Sequence, residues 1–451
     1  MSSATEDVNS SPLTCIASTA IGRGPSVERI AGDRKPGRGE LITKAQFTPD
    51  GTAIIAQHDD HHLKTFVLPT DLLEEEQQPH QLTAYATHKS ATEIQDFAIF
   101  PGFDLSDIST TYALCGDNDQ PISLRNVCDW TYSQAKYPLV NDRTEAHYSP
   151  RTLHFINSGS HFLVGTHNSL AVFDVTRYNA GPVSLLQLKP RKGTYNGMPL
   201  TRKAYVSALA TSVDGVLALG TTEREIALYD HSGMGERTAT FNMDPYRGTG
   251  VSFLKWSPCG KYLLVAERRS DEIHVFDIRG TRRQLSSLVG RAGNTNQRLG
   301  LDIVHTRGES YELWAGGMDG VVRMWHNPGS KEGECPPSED LKAHQAPVTS
   351  TIWHPFTSIL ATSAGSRYNT YDDEQDPPGG TDNSLRVHTV GPLNEAPLPY
   401  FLSSHMDSCL PLRPTPEMGA ALAFRPPPSR IAGLAFCPAP EVGVGLIFRP
   451  R

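Results

Sequence analysis

Cysteine is scarce in this chain of 451 residues. There are seven, scattered from Cys15 to Cys437, and none forms a C-x-x-C pair. An odd, dispersed set of this kind speaks against a disulfide framework, a zinc ribbon or a thioredoxin motif, and leaves reduced thiols in the cytosol or nucleus as the expectation. Long apolar runs are also missing. No window approaches the roughly eighteen consecutive apolar residues of a membrane-crossing helix. The first residues, Met-Ser-Ser-Ala-Thr-Glu-Asp, have neither the basic nor the apolar stretch of a secretory signal, so no membrane association is expected. Positive charge is in deficit: 41 lysines and arginines face 49 acidic residues, for a net charge of −8 and no polybasic run. A global nucleic-acid coat is excluded, and any such contact has to be a local patch on an acidic body.

Catalytic signatures are absent as well. There is no Walker A loop, dinucleotide fingerprint or H-E-x-x-H. Asp230-His-Ser-Gly-Met-Gly235 lacks the order of a nucleophile elbow. His58-Asp-Asp-His-His62 has the residue types of a metal site, but contiguous side chains on a turn do not converge on a tetrahedral ion. The expectation is a protein that is not an enzyme, with no cofactor, no metal and no small-molecule substrate.

What the chain does contain is turn-forming and aromatic material: 38 glycines, 34 prolines, 16 phenylalanines, 15 tyrosines and 5 tryptophans. That is too much apolar and aromatic content for a disordered chain, and the turn residues suit many short strands. One phrase recurs: an alternating strand, a polar turn, a second strand, a turn and a third strand ending near an aspartate. Its clearest copy is Val251-Ser-Phe-Leu-Lys-Trp256-Ser-Pro-Cys-Gly260, then Lys261 to Ala266, then Glu272-Ile-His-Val-Phe-Asp277. Anchored on Phe47, Ile99, Phe155, Thr211, Trp256, Val304 and Trp353, the copies recur every 45 to 56 residues. Seven units of that length, with three or four strands each, describe an all-β fold, a seven-bladed WD-repeat β-propeller.

Blades bury their apolar faces on one another, so the ring has to close. Residues 41–395 are assigned to the propeller. Residues 1–40 are mostly polar and expected to be disordered, apart from 12–17, the only apolar run there and the candidate closing strand. The intervals 72–90, 129–150 and 178–203 read as long connections with room for helical turns. Residues 396–451 form a Pro-rich, low-complexity tail in which Phe424-Arg-Pro, Phe436-Cys-Pro and Phe448-Arg-Pro recur twelve apart. A linear-motif array is the alternative reading of that tail.

Three stretches go beyond a generic propeller: Gly290-Arg-Ala-Gly-Asn-Thr295-Asn-Gln-Arg298, Gly316-Gly-Met-Asp319-Gly-Val-Val-Arg-Met-Trp325, and Ala361-Thr-Ser-Ala-Gly-Ser-Arg367 before an acidic insertion. With Asp119-Gln-Pro121-Ile, they resemble the telomerase Cajal body protein family over residues 41 to 390, as a distant relative of fungal type. The resemblance implies a scaffold that binds small nuclear RNA of the box H/ACA Cajal-body class, including telomerase RNA. It also implies ribonucleoprotein proteins as partners and a nuclear, Cajal-body-like location, with the cytoplasm as a second one. The blades depart from the family in ending on Phe173-Asp, Tyr229-Asp, Phe276-Asp and Trp325-His rather than Trp-Asp. A protein-only WD-repeat adaptor, in nuclear complex assembly or pre-mRNA splicing, fits the acidic charge equally well.

Candidate RNA contacts follow from loop position. Arg268 and Arg269 sit in the turn between the second and third strands of their repeat, and Asn296 and Arg298 in the connection to the next. Arg323 and Arg367 share the neighbourhood. Guanidinium and amide groups on exposed loops suit phosphates and unstacked bases. The competing role of these residues is structural. Gln297 is placed to replace the repeat histidine in a buried network with Asp319 and Trp325, and His344, Asp382 and His388 are placed to form the same network in the last blade.

Overall fold

The structure is a computed structural model. It describes residues 13–20, 41–74, 79–141, 143–188, 191–195, 198–202, 204–243, 246–280, 283–306, 310–366 and 382–391. Arg367, most of the first forty residues and the tail after residue 391 lie outside them.

Seven antiparallel sheets follow one another along the chain as the seven blades of a β-propeller. Their inner strands are Ile42–Phe47, Ile94–Ile99, Thr152–Phe155, Val206–Thr211, Val251–Trp256, Leu301–His305 and Val348–Trp353. Six of the seven repeat anchors are the last residue of an inner strand, and Val304 is one residue short of the end of its own. The repeat is visible in sequence because the second strand of each blade is buried on both faces, as in Ala53–His58 and Ile359–Ala364.

Adjacent blades pack through side chains that reach across the gap. Phe241, Val251, Trp256 and Phe276 form part of one core between blades 4 and 5, and the indole of Trp256 donates to the Ala210 carbonyl at 3.0 Å. The blades approach closely where the second strand ends. A Cβ on Gly220 would lie 2.5 Å from Val251, and one on Gly316 would lie 2.5 Å from Val348, each valine opening the next blade's inner strand. Glycine is required there by contact between blades.

The ring closes through the N-terminus. Leu13–Ser18 pairs antiparallel with Leu385–Val390, in a register running from Leu13 opposite Val390 to Ser18 opposite Arg386, and supplies the fourth strand of blade 7. Ile16 and Ala17 are buried in a core with Ile42, Phe66, Ile359 and Val387, which joins blades 7 and 1. Two short parallel strands add to blade edges. His80–Gln81, from blade 1, lies on the closing strand, and Gly333–Cys335, from blade 6, lies on Arg283–Leu288 of blade 5.

The long connections differ from their sequence reading. No α-helix occurs among the described residues. The intervals expected to hold helical turns contain outer strands instead: Ala86–Lys89, Ser133–Tyr137 and Ser184–Gln187. These three outer strands each have a partner on one side only. Ser184–Gln187 is exposed at every position, so no apolar alternation marks it.

In blade 7, His344 Nδ1 lies 3.2 Å from Asp382 Oδ2, His344 Nε2 lies 2.8 Å from Thr362 Oγ1, and Thr362 Oγ1 lies 3.1 Å from His388 Nε2. With both rings neutral the protons run one way: His388 donates to Thr362, Thr362 to His344, and His344 to Asp382. Burial alone would raise the Asp382 carboxyl, but hydrogen bonds from His344, Ser384 and the Gln345 backbone hold it below its usual range. In blade 6 the expected network does not form. Asp319 is bonded through both oxygens to Arg323, at 3.1 and 2.6 Å, Trp325 donates to the Cys335 carbonyl, and Gln297 donates to the Gly365 carbonyl of blade 7. The buried place under that loop belongs to Arg291, which is 4% exposed and donates to Gly316 and Leu299. The connection between blades 5 and 6 is several residues longer than the one before blade 7, and counting back from the inner strand therefore lands on Gln297 rather than on Arg291.

Burial also keeps histidines neutral. It pushes His88, His154 and His274 down to about 4, and His388 to about 3. A depressed folded value means that the unfolded chain binds the extra proton first. Their stabilising contribution is therefore complete above the unfolded value near 6.5 and is lost as pH falls toward 4. Each such group adds a slope of about 1.4 kcal/mol per pH unit in that window. The melting temperature is expected to be level from pH 8 to 7 and to fall steeply below 6. A melting temperature that stays level down to pH 4 would show these rings to be protonated without cost.

Candidate functional site

The seven inner strands wall an axial channel with a cavity of about 320 Å³. Two lysine–aspartate pairs stitch that wall. Lys44 Nζ donates to Asp96 Oδ1 at 2.6 Å and to the Phe97 carbonyl at 2.8 Å, and Asp96 Oδ2 accepts the Leu153 N–H at 2.8 Å. Lys255 Nζ donates to Asp302 Oδ1 at 2.7 Å, and Asp302 Oδ2 accepts the Trp353 N–H at 2.9 Å. Each unit ties the inner strands of three consecutive blades, first 1, 2 and 3, then 5, 6 and 7. Burial pushes the Lys44 amine below its usual value against the pull of Asp96, and the Arg298 charge adds to that push.

At one end of the channel the connection between blades 5 and 6 folds over the ring. It is fixed on several blades. Gly293 N–H donates to Asp271 at 2.7 Å, and a Cβ on Gly293 would lie 2.3 Å from the Ser270 carbonyl, so that close approach needs glycine. The Arg269 N–H donates to Thr295 at 2.9 Å and the Gly300 N–H to Thr349 of blade 7 at 2.8 Å. Arg298 reaches the Ser207 carbonyl of blade 4 at 2.6 Å. The neighbouring turn of blade 5 is held from below by Glu267, whose buried carboxylate takes two bonds from Arg224 of blade 4, at 2.8 and 2.9 Å. Removing either partner of such a buried pair costs about 3–5 kcal/mol, because the other charge is left unpaired.

Above this loop is a second cavity, about 370 Å³, at the channel mouth. Its charged lining is Lys44, Arg151, Arg268 and Arg298 against Glu93 alone. Arg151 is exposed, donates to Gln95 at 2.6 Å, and lies 4.9 Å from the centre of the Tyr205 ring. Tyr205 is 38% exposed. On a chain of net charge −8, this is a concentrated cationic recess with an aromatic rim.

Of the residues singled out in sequence, Arg268, Asn296 and Arg298 line this cavity, and so does Gln297. Arg269 is exposed beside it, in a left-handed backbone conformation (φ 54°), and its Nε donates to Asn296 Oδ1 at 3.0 Å. Arg323 does not join them. It is 9% exposed, bonded to Asp319 and 3.5 Å from Asp340, so its guanidinium is enclosed by carboxylates of its own blade. Asp319 lies in the turn just before the strand that carries Arg323, so the pairing is local. The His58–His62 stretch also disperses: His58 is buried in its strand while His62 Nδ1 lies 2.9 Å from Asp60 Oδ1. Among the described residues no group of three or more histidines, cysteines or carboxylates is placed to hold a metal. No described helix is long and apolar enough to cross a membrane.

Lys44, Arg151 and Tyr205 were not singled out in sequence. A signal was present for two of them: Arg151 and Tyr205 immediately precede the inner strands Thr152–Phe155 and Val206–Thr211. The end of the connection into an inner strand is the place in each repeat that meets the mouth.

No family model matches the chain. Over 333 residues it is 23% identical to telomerase Cajal body protein 1 of Bos taurus, an alignment covering 72% of this chain and 58% of that protein. The chain is a distant relative of telomerase Cajal body protein 1. It spans about three fifths of the length of that mammalian protein. It is also similar to guanine nucleotide-binding protein negative regulator 1 of Schizosaccharomyces pombe, at 28% over 286 residues, 63% of this chain and 70% of that one. Protein SWT21 of Kluyveromyces lactis is 23% identical over 339 residues, 73% of this chain and 77% of that one. The similarity to telomerase Cajal body protein 1 and the seven blades make this chain a WD-repeat propeller related to that protein and to fungal proteins.

Proposed function

We propose that the chain is a non-catalytic scaffold that binds a small nuclear non-coding RNA at the channel mouth and assists its ribonucleoprotein assembly in the nucleus. Relatedness to telomerase Cajal body protein 1 points to the box H/ACA Cajal-body class and telomerase RNA. The observation that carries the reading is the mouth itself, with three arginines and an exposed tyrosine around one recess of an otherwise acidic protein. Guanidinium groups bond phosphate oxygens in pairs, and Tyr205 with Arg151 offers a platform on which an unstacked base can lie. The ring gives these contacts fixed relative positions: Arg151 and Tyr205 immediately precede inner strands, Arg268 follows the second strand of blade 5, and Arg298 is bonded to blade 4.

Ultraviolet crosslinking and immunoprecipitation from living cells tests this. One class of small RNA is expected to be enriched above an unrelated propeller. If no class is enriched, the RNA reading fails and a protein-only adaptor takes its place. The similarity to a protein named as a regulator of a guanine nucleotide-binding protein favours that second reading. Under it, the same immunoprecipitate yields a stoichiometric protein partner and no RNA.

A further inference from the structure

We infer that the open edge of blade 3, Ser184–Gln187, is a docking site for an extended segment of a partner protein, apolar at its centre and acidic on its flanks. The inference is independent of the RNA reading, which concerns the mouth.

The first argument is how this fold treats its edges. A bare outer strand invites pairing with another chain, and charged side chains are a common guard. Five of the seven outer strands carry one: Lys89, Lys136, Arg237, Arg283 and Glu339 belong to those of blades 1, 2, 4, 5 and 6. Two carry none, the closing strand Leu13–Ser18 and Ser184–Gln187. The closing strand is covered by His80–Gln81. Among the described residues no strand lies on Ser184–Gln187, so blade 3 alone has an edge with neither guard nor cover.

The second argument is what that edge displays. Val183, Leu185 and Leu186 are 42%, 41% and 37% exposed. Successive residues of a strand face opposite sides, so Leu185 and Leu186 place an apolar side chain on each face of the sheet. A strand laid alongside covers both if it carries apolar residues at adjacent positions. The fold itself shows the mode of pairing. His80–Gln81 lies parallel to Ala17–Ser18, and Gly333–Cys335 lies parallel to Ser286–Leu288, each added to the outer edge of a neighbouring blade. Main-chain bonds hold them, from Leu82 N–H to the Ser18 carbonyl at 2.9 Å and from Val289 N–H to the Cys335 carbonyl at 3.0 Å. A peptide on Ser184–Gln187 repeats that arrangement, with affinity from the main chain and specificity from the side chains.

The third argument is charge. Residues 175–213 contain six lysines and arginines and no aspartate or glutamate, in a chain whose overall charge is −8. Arg177 is exposed in the connection that leads into the edge, and Asn179 of that connection donates to the carbonyl of the exposed Lys136 of blade 2 at 2.7 Å. Lys189, Arg191 and Lys192 follow the edge in sequence. Against these stand Asp174, already bonded to Thr176, and Glu223 and Glu225 of blade 4, which line a small cavity with Leu188 past the end of the strand. The basic excess selects Asp and Glu on the flanks of the incoming segment.

The test selects random peptides displayed on phage against the full chain and against its Leu185→Glu, Leu186→Glu variant. The parent is expected to enrich peptides with two adjacent apolar residues flanked by Asp or Glu, and the variant is not. A synthetic peptide of that class should bind the parent at least tenfold tighter than the variant. Methylating one alternating set of its main-chain nitrogens should weaken binding about tenfold, the effect of two lost hydrogen bonds, and methylating the other set should matter less. Both substituted positions are exposed, so the variant should melt like its parent. Should it melt early, Ser184→Glu with Gln187→Glu is the substitute, with the same tenfold loss expected. Enrichment of no such class, equal binding to parent and variant, or indifference to both methylated sets overturns the inference. So does sedimentation of the parent as a dimer and the variant as a monomer, which gives the edge to a second copy of this chain. The variant leaves the mouth intact and should bind RNA like its parent, so the two readings fail separately.

Discussion

Deleting residues 1–18 is expected to abolish the native ring, although the deletion leaves the other six blades complete. The outer strand of blade 7 comes from Leu13–Ser18, while its other three strands come from residues 348–390. Without it, Leu385–Val390 becomes a bare edge. Ile16, 1% exposed, and Ala17 leave the core they share with Ile42 and Phe66. His80–Gln81 loses the strand on which it lies, and Leu82 loses the Ser18 carbonyl that accepts its N–H. Burial of an isoleucine alone is worth about 1.5–3 kcal/mol. A strand's ladder and the junction between first and last blades add several more, against a total stability of about 5–15 kcal/mol for a typical native protein. The milder substitution Ile16→Asp forces a carboxylate into that core and should cost about 3 kcal/mol or more. Thermal unfolding of the variants checks both: loss of the cooperative transition for the deletion, and a large fall in melting temperature for Ile16→Asp. A native-like transition in the deletion variant would mean that the ring closes without this strand.

How far the fold was legible in the sequence depended on which strand is considered. Second strands are buried between their neighbours, and the inner strands that pair with them end on large apolar residues such as Phe47, Trp256 and Trp353 at a regular interval. Outer strands such as Ser184–Gln187 face water and carry no periodic signal. The closing strand was visible because Cys15-Ile-Ala17 is apolar within a polar segment. The mouth divides in the same way. Arg268, Asn296 and Arg298 lie within one pair of consecutive repeats and could be grouped from sequence. Lys44, Arg151 and Tyr205 come from blades 1, 3 and 4, and only closure of the ring brings them to the same recess. Arg323 was grouped with the others by proximity in the chain, and the carboxylates of Asp319 and Asp340 explain why it is elsewhere.

Substituting Arg151 and Arg268 together by alanine is expected to weaken RNA binding about a hundredfold, with the ring intact. A charge-assisted hydrogen bond contributes about 1.5–3 kcal/mol, so removing one phosphate bond at each arginine corresponds to two powers of ten or more. The weakening should be uniform across RNA sequences, since phosphates carry no base identity. Arg151 is exposed and Arg268 half-buried at the recess, and neither is part of the Lys44–Asp96, Lys255–Asp302 or Arg224–Glu267 pairs that brace the blades. The melting temperature should therefore change little. The salt dependence supplies an independent reading, because each phosphate neutralised on a single strand adds about 0.7 to the slope of log K against log salt.

The most direct measurement is that slope, determined by filter binding of a box H/ACA RNA to the purified parent protein and to the Arg151→Ala, Arg268→Ala variant. The mouth account predicts a slope shallower by about 1.4 in the variant, which neutralises two fewer phosphates, together with the hundredfold weaker affinity. An unchanged slope and affinity in a variant that melts like its parent would contradict it, and would move any RNA contact away from the mouth of the ring.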